Sequence, residues 1–395
     1  MEDDVNSFTL DRHIRYFSTC LRSLPAPYVK LDTNRLTLVH FAVHALDLLS
    51  PNLWDDESKT KQSELGLDKH SIIEWIYDLQ IAQPNEPPPQ DATLAPISHV
   101  GFLGGTFLGP KPKMIDKKGH YDYHQGHIAM TYTALCTLKT LGDDLSRVDK
   151  FGILAALATL QQNDGSFTCV AGDGNAEHDM RFLFCACAIS YMLDDWSAVD
   201  IPRAVEYIKN CRSYDGGIAL IPGQEGHGGS TFCGVAALVL MDQVEDVLLQ
   251  PSQVDCSRPS TVSSCWNDDL IHWCVHRQVG GMQGRPNKAE DTCYSYWIGG
   301  TLRLLGHEDL LDGKQLRNYI LSCQYDLGGF GKVVNAFPDV LHSFYSLAWL
   351  SLSSHPSAGK DPASMGVSPL PVEKLSCTLG IRQTRADQFG HRSLP

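Results

Sequence analysis

The chain has 395 residues, of which 43% are hydrophobic and 20% charged, a composition typical of a globular protein that buries a large core. The formal net charge of −14 argues against a broad basic face, so we expect no nucleic-acid partner. Apolar stretches such as 232–241 are shorter than the roughly 18 residues of a membrane span, so no transmembrane segment is expected.

The 13 cysteines are typical of a reducing compartment. Several lie in apolar runs, such as Cys185 and Cys187, where cysteine packs as a small core residue, and no short disulfide framework emerges. The first residues, Met1 to Asp4, are acidic and do not resemble a secretory signal peptide. We therefore expect a cytoplasmic protein.

Helical patterns begin at 35–49 and 69–80, and a polar, Pro-rich stretch at 82–96 is predicted to be a loop. Beyond them, a glycine pair, or a near version of it, followed by an apolar residue returns along the chain. A self-similar unit of this length indicates a repeat architecture. The first glycines of these turns are Gly104, Gly165, Gly216, Gly280 and Gly328.

Helices are predicted to fill each repeat unit. Segment 151–162 is rich in good helix formers, and segments 181–193 and 231–241 are apolar nearly all round, which indicates burial on every side. Segments 201–211 and 314–324 are amphipathic and are expected to be half exposed. Each unit therefore supplies one buried and one half-exposed helix.

Pairs of helices stack into either an open solenoid or a closed ring. About six pairs are available, a number that can close into an alpha-alpha toroid, the (α/α)6 barrel, although periodicity alone leaves closure open. The predicted fold class is all-α. We expect one barrel domain over 1–350, a Ser- and Pro-rich inserted loop at 250–264, and an irregular Ser/Pro/Gly-rich tail at 351–395.

A candidate metal site lies in the last third of the chain. Asp291 and Cys293 offer a carboxylate and a thiolate, and His342 offers an imidazole just before another apolar helix. This ligand set suits zinc, and three protein ligands leave a fourth position open, as in catalytic zinc sites. The spacing alone also fits a core cysteine beside a helix-capping aspartate.

Candidate anion-binding residues flank this segment. Arg285 and Lys288 lie three residues apart and would share one face of a helical turn, and both side chains bind phosphate oxygens well. His227 follows a glycine-rich stretch and opens an apolar helix, whose positive end favours an anion. A solvated surface pair and a loop histidine remain the alternatives. No phosphate-binding P-loop motif is present, so a nucleotide site is not expected.

Two long runs carry a family resemblance. Segments 227–233 and 284–297 resemble signatures of the beta subunits of the CaaX protein prenyltransferases, and the likeness covers about residues 10–350. It implies an alpha-alpha barrel with a central funnel, an alpha subunit wrapped around it, and one catalytic zinc ion held by Asp291, Cys293 and His342. Segments 126–132, 141–147 and 179–181 are most similar to the type I geranylgeranyltransferases.

Two positions separate this resemblance from the farnesyl enzymes. Thr37 stands where the farnesyl enzyme has a tryptophan that shortens the isoprenoid pocket, so a threonine leaves room for a fourth isoprene unit. Lys332 stands where the farnesyl enzyme has an aspartate that helps to bind magnesium. The resemblance therefore implies zinc dependence without a magnesium requirement.

The implied reaction is prenyl transfer to a cysteine thiol. The substrate cysteine would take the open zinc position as a thiolate and attack C1 of geranylgeranyl diphosphate. Five residues would stabilise the charge on the departing diphosphate. They are His227, Arg285, Lys288, Tyr294 and Lys332. The implied partners are an alpha subunit shared with farnesyltransferase and small GTPases that end in a CaaX motif.

The resemblance also implies residues for each substrate. The isoprenoid wall and its lip are assigned to Thr37, Phe41, Arg181, Phe184, Cys233 and Trp297. The peptide side is assigned to His127, Ala129, Glu177, Arg181 and Phe182. An apolar floor made by Thr37, Ala129 and Phe182 would favour a C-terminal leucine in the acceptor. Ordinary core packing is the alternative for the apolar members of both sets.

Three other functions remain open from the sequence. The first is a farnesyl or Rab-type prenyltransferase subunit, against which Thr37 and Lys332 argue in the farnesyl case. The second is a ring-forming enzyme such as a triterpene cyclase, whose repeats carry runs like 161–167 but which needs no zinc. The third is a non-catalytic helical repeat scaffold, which has no need for Asp291, Cys293 and His342 to converge.

Overall fold

The structure is a computed structural model that describes residues 7–83, 97–107, 124–172, 176–249, 265–360 and 366–390. The predicted insertion at 250–264 and most of the predicted loop at 82–96 lie outside the described residues. The described chain is mostly helical, and none of its helices is long and apolar enough to cross a membrane.

In chain order the α-helices of the described residues are α1 (Leu10–Arg22), α2 (Arg35–Leu49), α3 (Lys59–Glu64), α4 (Lys69–Asp78), α5 (Ile128–Thr140), α6 (Lys150–Leu160), α7 (Met180–Met192), α8 (Ile201–Asn210), α9 (Gly228–Met241), α10 (Val244–Leu248), α11 (Trp266–Val275), α12 (Cys293–Leu304), α13 (Gly313–Ser322), α14 (Val340–Ser354) and α15 (Gln383–Ala386). Short 3-10 turns occupy Ala26–Asn34, Asp56–Ser58, Ile97–His99, Glu308–Leu310 and Asp387–Phe389. Two antiparallel ribbons pair β1 (Gln80–Ile81) with β2 (Gly101–Phe102), and β3 (Leu375–Ser376) with β4 (Ile381–Arg382).

An inner ring of helices closes on itself. Around this ring α2 packs on α5, α5 on α7, α7 on α9, α9 on α12, α12 on α14, and α14 returns to α2. An outer helix precedes each inner one along the chain: α1, α4, α6, α8, α11 and α13. The all-α prediction of an (α/α)6 toroid is therefore confirmed, including the closure that periodicity left open.

Apolar patterning separates inner helices from outer ones. Nearly every position of α9 is buried, because this helix faces the lumen on one side and the outer ring on the other. The outer helix α8 buries one stripe only, made by Ala204, Val205, Tyr207 and Ile208, and leaves its polar face to solvent. Its Pro202 occupies the first turn, where no backbone donor is needed.

The recurrent glycine turns join each outer helix to the next inner one. Gly165, Gly216 and Gly328 have φ values of 91°, 99° and 98°, which favour glycine. A Cβ atom on Gly216 would lie 2.7 Å from the carbonyl oxygen of Asp269, so close approach also requires glycine there. These turns hold the inner helices parallel, with their N-termini at one end of the barrel.

Backbone hydrogen bonds tie those N-termini into a belt. A backbone N–H at the start of each inner helix donates to a carbonyl in the loop that leads into the next inner helix. The same contact therefore repeats around the barrel. The donor and acceptor pairs are Leu36 to Gly104, Ile128 to Cys169, Met180 to Leu220, Gly228 to Gly284 and Thr292 to Lys332. The belt closes where Val340 N–H donates to the Tyr28 hydroxyl at 3.0 Å.

His13 joins the first repeat to the last. Its ring stacks on Phe330 with centroids 4.6 Å apart, Nδ1 accepts the Gly329 N–H at 2.9 Å, and Nε2 lies 2.9 Å from Gln324 Oε1. Burial lowers the pKa of His13 to about 4, although the bond to Gln324 opposes this. His13 therefore stays neutral at physiological pH.

This burial predicts acid sensitivity. The unfolded chain takes up a proton on His13 below pH 6.5, whereas the folded chain does so only near pH 4, so His13 removes stability as pH falls between these values. The loss is at most about 3 kcal/mol. Thermal unfolding from pH 7.5 to 4.5 should show a steeper decline for the wild type than for His13→Gln. Equal slopes would contradict the prediction.

The prediction of an irregular tail from residue 351 is wrong for the residues that the structure describes. Helix α14 continues to Ser354, and strands β3 and β4 form a ribbon against the inner helices. The ribbon is buried on both faces: Leu375, Cys377, Leu379 and Ile381 are each at most 1% exposed, and the polar residues between them, Ser376 and Thr378, are fully buried as well. Residues 361–365 and 391–395 lie outside the described chain.

A buried ion cluster fastens this C-terminal ribbon, residues 375–382, to the barrel. Asp47 of α2 is fully buried and accepts from Arg382 Nε at 2.9 Å, with Arg385 Nη2 3.6 Å away. Burial raises the pKa of Asp47 to about 6, and both arginines oppose the rise. The ribbon is therefore part of the barrel, and the single domain that we propose extends beyond 350.

Candidate metal centre and central funnel

Three side chains distant in sequence meet at the belt end of the barrel. Asp291 and Cys293 stand at the start of α12, and His342 lies in the first turn of α14, the neighbouring inner helix. Their ligand atoms all lie within 4.8 Å of one another. Asp291 and Cys293 are buried, and His342 is half-buried. The convergence predicted from the sequence is present in the structure.

The backbone explains how these residues are brought together. Asp291 N–H donates to Met282 O at 3.0 Å, which fixes the strand-like approach to α12. Thr292 donates its N–H to Lys332 O and its hydroxyl to Gly331 O, each at 3.0 Å. These bonds hold the loop before α14 against the start of α12, so His342 faces the Asp291 carboxylate.

Asp339 orients the histidine, and the sequence analysis missed it. Its Oδ1 caps α14 by accepting His342 N–H at 2.9 Å, and its Oδ2 lies 2.6 Å from His342 Nδ1. The other ring nitrogen, Nε2, is 3.3 Å from Asp291 Oδ1 and therefore faces the centre. A carboxylate behind a ligand histidine is a recurrent feature of metal sites. An aspartate three residues before the histidine, at a helix start, was the available signal.

Removal of the Asp339 carboxylate has a predictable effect. Asp339→Asn keeps a helix-capping oxygen but loses the charge behind His342, so metal affinity should fall about 10- to 100-fold. Competition with a chromophoric zinc chelator would measure that change. Asp312→Asn is the matched control, because Asp312 caps the outer helix α13 in the same way and contacts none of the candidate ligands through that cap. Equal zinc affinity in both variants would refute the role.

The titration behaviour fits a cation-binding site. Burial raises the pKa of the Cys293 thiol, and the Asp291 charge raises it further. Burial opposes ionisation of Asp291, but hydrogen bonds and the charge of His342 hold its pKa below the usual value. Burial also lowers the pKa of His342, but the bonds to Asp291 and Asp339 outweigh it and raise this pKa to about 9. At neutral pH the Cys293 thiol and the His342 imidazolium therefore both carry a proton, and a divalent ion held by these ligands would replace both protons.

The donor set matches zinc. A thiolate is a soft donor, an imidazole a borderline one and a carboxylate a hard one, and zinc accepts all three. Three protein ligands leave the fourth position of a catalytic zinc site open. The polar atoms point into one small volume, and Cys293 N–H donates to Asp291 Oδ1 at 2.9 Å, which fixes the carboxylate. We conclude that the residues present fit a catalytic zinc ion.

Lys332 lies beside this centre. Its Nζ is 3.4 Å from Asp291 Oδ2, and its side chain is 60% exposed, so the ammonium is accessible to an anion from solvent. The sequence assigned this lysine to the leaving group, and the structure places it next to the candidate metal ligands.

His227 and Tyr294 form a pair at the funnel rim. The His227 ring caps α9, with Nδ1 accepting Gly229 N–H at 3.1 Å, and its Nε2 is 3.0 Å from the Tyr294 hydroxyl. Burial, with the Arg285 charge, lowers the pKa of His227, so the ring is neutral. Because Nδ1 accepts, Nε2 carries the proton and donates to Tyr294, whose own proton is free to bind an anion. His227 therefore contributes no formal charge.

Arg285 lies close to this pair. A cavity of about 300 Å³ is lined by Leu220, Gln224, Glu225, His227 and Arg285. Arg285 forms an ion pair with Glu225 at its edge. Lys288 follows Arg285 after two residues of a turn, and its side chain is exposed. The shared helical face expected for Arg285 and Lys288 is wrong, because Asn287 between them has φ 61° and the segment is a turn.

The helix ends add a favourable potential. Because the inner helices are parallel, the positive ends of their dipoles gather at the end that holds the metal ligands. Side chains cap several of them, including His127 on α5, Asp179 on α7 and Asp339 on α14. Because these caps already occupy N–H groups, an anion at this end would be favoured by the helix dipoles and by the cationic side chains.

The residues expected at the isoprenoid wall lie on the inner helices. Phe41 packs on Tyr345 with ring centroids 5.4 Å apart, and Tyr345 lies 4.3 Å from Trp297. Thr37 Oγ1 is 3.5 Å from Met130 Sδ, between α2 and α5. Trp297, Tyr345 and Thr37 stay partly exposed on helices that the outer ring covers, so they face the lumen. Phe184 and Cys233 are buried on α7 and α9.

The structure adds two lumen aromatics to that set, Tyr132 and Tyr345. Tyr132 packs edge-on against Phe184 at 5.5 Å, and Tyr345 joins Phe41 to Trp297. Tyr132 lies three residues after Ala129, and Tyr345 lies three residues after His342. Residues at this spacing share one face of a helix, so the spacing is the sequence signal that could have identified both tyrosines. These inner helices thus bring several aromatic rings together, a kind of surface that binds apolar ligands.

The expected peptide-side residues cluster at α5 and α7. His127 packs edge-on against Phe182 with centroids 5.8 Å apart, and Arg181 lies over the Phe182 ring at 5.2 Å. Arg181 also bonds Asp179 and Glu177, each at 2.5 Å. Ala129 follows the His127 cap and is half-buried. The geometry brings these residues together, and their role in binding a peptide remains a prediction.

Known proteins resemble this chain along most of its length. A family model for the prenyltransferase alpha-alpha toroid domain matches residues 8–381. The Arabidopsis thaliana geranylgeranyl transferase type-1 subunit beta is 39% identical over 88% of this chain and 85% of its own length. The Dictyostelium discoideum geranylgeranyl transferase type-1 subunit beta is 36% identical over 87% and 90%. A Pyricularia oryzae farnesyltransferase subunit beta is 27% identical over 92% of this chain and 67% of its own length.

Fold comparison agrees with these relatives. The solved Candida albicans protein geranylgeranyltransferase-I complexed with GGPP matches with a TM-score of 0.74 over 97% of this chain and 98% of that one, at 21% identity. The helical toroid, the three-ligand centre at one end and the matching family model together place this chain among the alpha-alpha toroid prenyltransferases. The chain belongs to the prenyltransferase family, within the branch of the geranylgeranyl transferase type-1 beta subunits.

Proposed function

We propose that this chain is the catalytic subunit of a zinc-dependent transferase that moves geranylgeranyl from geranylgeranyl diphosphate to the cysteine thiol of CaaX-ending proteins. The observation that supports it most is the convergence of Asp291, Cys293 and His342 at the mouth of an aromatic lumen. Family membership favours it over a cyclase or a non-catalytic scaffold. Zinc, when bound, would hold the acceptor thiol as a thiolate at neutral pH.

The bond changes balance simply. The acceptor sulfur forms a bond to C1 of the prenyl group, the bond from C1 to the diphosphate oxygen breaks, and the thiol proton passes to solvent. Negative charge then grows on the diphosphate. The side chains that would stabilise this charge are Lys332, Arg285, Lys288 and the Tyr294 hydroxyl. His227 holds the Tyr294 hydroxyl in place, since its Nε2 proton points at that oxygen.

The lumen would bind the donor and exclude water from its tail. Phe41, Phe184, Cys233 and Trp297 supply the apolar wall, and Thr37 leaves space where a larger side chain would fill it. On the peptide side, we propose that His127, Ala129, Glu177 and Phe182, with Arg181 at the lip, contact the acceptor. An apolar contact there would favour an acceptor that ends in leucine.

The remaining proposals concern assembly. We propose an alpha subunit, shared with farnesyltransferase, as the partner of this chain in the cytoplasm. Large exposed apolar side chains support a missing partner, because exposed apolar groups mark interaction sites. Among the described residues, Phe151, Tyr214 and Phe337 are 81%, 86% and 81% exposed.

One experiment tests the proposed function. The chain is co-purified with an alpha subunit, its zinc content is measured, and prenyl transfer is followed with two donors and with CaaX peptides ending in leucine, serine or methionine. We expect about one zinc ion per heterodimer, preference for the geranylgeranyl donor, and fastest transfer to the leucine peptide. Transfer without zinc would refute the metal assignment, and equal rates for all peptides would refute the acceptor preference.

Magnesium is expected to be unnecessary, because the Lys332 ammonium can neutralise diphosphate directly. Lys332→Asp should lower kcat about 100-fold, and millimolar magnesium should restore part of this loss by bridging the new carboxylate to the diphosphate. The wild type should show no magnesium stimulation. Lys314→Asp is the matched control, since Lys314 is exposed on the outer helix α13. Magnesium dependence of the wild type would contradict the assignment.

A further inference from the structure

The C-terminal ribbon reaches the lumen wall through two phenols. Tyr132 on α5 donates its hydroxyl to Leu379 O, and Tyr296 on α12 donates its hydroxyl to Cys377 O, both at 2.8 Å. Between these carbonyls and β4 lies Gly380 with φ 68°, where an added Cβ would come within 3.4 Å of the Tyr296 hydroxyl. The turn therefore anchors both phenols in one small region.

Both anchored rings contact residues of the wall. The Tyr132 ring packs edge-on against Phe184 at 5.5 Å. The Tyr296 ring lies 5.2 Å from Trp297 and 5.3 Å from Tyr345. Because both hydroxyls are taken by carbonyls of the ribbon, the rings present only their apolar faces to neighbours. The rotamers of these two tyrosines therefore set part of the shape of the lumen.

The ribbon itself is held firmly in the barrel. Arg382 pairs with the buried Asp47 of α2, and the Ser351 hydroxyl of α14 donates to Glu373 O at 2.6 Å and accepts Leu375 N–H at 3.0 Å. A side chain whose rotamer is fixed by such supporting contacts keeps a site in register. Contacts from several inner helices thus converge on the segment that anchors the phenols.

We infer that the C-terminal ribbon is a positioning element for donor selection: its Cys377 and Leu379 carbonyls fix Tyr296 and Tyr132, and these rings limit the length of the prenyl chain that the lumen accepts. This inference rests on the proposed function, since it concerns the donor of that reaction. A tyrosine ring that loses its hydrogen bond to the ribbon gains rotamer freedom. The lumen wall formed by that ring can then move, and the enzyme discriminates less between the geranylgeranyl and farnesyl donors.

The test uses Tyr132→Phe/Tyr296→Phe in the heterodimer, which keeps both rings and removes both anchors. Two ratios are measured, geranylgeranyl over farnesyl: the ratio of binding constants for the diphosphates and the ratio of kcat/KM. Each should fall about three- to tenfold, the amount that one or two net hydrogen bonds provide. A ratio does not depend on the fraction of active enzyme, so a purely structural loss leaves it unchanged.

Two further variants separate the causes. Arg382→Ala loosens the ribbon with both tyrosines intact and should shift the ratios in the same direction; Ser351→Ala replaces it if that variant does not fold. Tyr207→Phe is the matched control, because this buried phenol on α8 also lies near a carbonyl, Leu220 O at 3.4 Å, outside the lumen.

Unchanged ratios in the double tyrosine variant would overturn the inference, as would a shift there with none in the ribbon variants. The binding ratio requires no chemistry, so it decides the inference even if transfer is absent. Absence of transfer in the wild type would instead refute the proposed function.

Discussion

Replacement of Cys293 by serine should abolish most catalysis, with prenyl transfer falling about 1,000-fold and zinc lost from the purified heterodimer. The Cys293 sulfur is one of only three donors at the candidate centre, and loss of a metal that activates the nucleophile costs several kcal/mol in the transition state, each 1.4 kcal/mol being tenfold. The buried site offers no replacement thiol within the described centre.

The reason for this large effect lies in the surroundings of the thiol. Burial and the Asp291 carboxylate both disfavour a bare thiolate at this position. A cation must therefore stabilise the Cys293 thiolate, and the acceptor thiolate with it. Steady-state transfer and metal analysis of the same preparation measure both consequences.

A matched cysteine provides the control for this prediction. Cys274→Ser changes a fully buried thiol on the outer helix α11, where burial also raises the thiol pKa. It should keep its zinc and nearly all of its transfer activity while losing some thermal stability. If Cys293→Ser kept one zinc ion and wild-type rates, the metal centre that we assign to Asp291, Cys293 and His342 would be wrong.

The inner helices were predictable because their burial leaves a strong mark on sequence. Segment 231–241 is apolar on all sides, and the structure places it inside α9. Closure of the ring was not predictable in the same way, because it depends on how much each repeat rotates relative to the last. Contacts between residues far apart, such as His13 with Gln324, complete it. No local pattern encodes that distance.

The C-terminal ribbon shows why the prediction of an irregular tail failed. Composition rich in serine, proline and glycine suggested disorder, yet Leu375, Cys377, Leu379 and Ile381 are all buried, the middle two in the turn between β3 and β4. The strands are two residues long, too short for propensity to register. Their order comes from tertiary fit, above all from the buried pair of Asp47 and Arg382.

The candidate metal ligands were predictable from chemical type and from the resemblance, whereas their supporting contacts required coordinates. Asp339 lies beside His342 only because the first turn of α14 brings positions three apart together. The neutral state of His227 likewise follows from its burial and from the nearby Arg285 charge. Sequence shows which groups are present, and packing determines their protonation.

Replacement of Thr37 by tryptophan should reverse the donor preference. Thr37 is half-buried at the lumen face of α2 and lies 3.5 Å from Met130 of α5, so an indole placed there would project between these helices into the lumen. The space for the last isoprene unit would be filled. Overpacking typically costs about 1–3 kcal/mol. We expect kcat/KM for the geranylgeranyl donor to fall about 10- to 100-fold.

The farnesyl donor should be spared, because its shorter chain does not reach the filled space, and the ratio of the two donors therefore isolates pocket length from general damage. Thr37→Val is the matched control: it keeps the volume of the side chain and loses only the hydroxyl contact to Met130, so its donor preference should stay with geranylgeranyl. Competition between the two diphosphates for one peptide measures the preference directly. If Thr37→Trp kept the geranylgeranyl preference of the wild type, the side chain at position 37 would not limit the space for the donor. The floor of the lumen would then lie elsewhere.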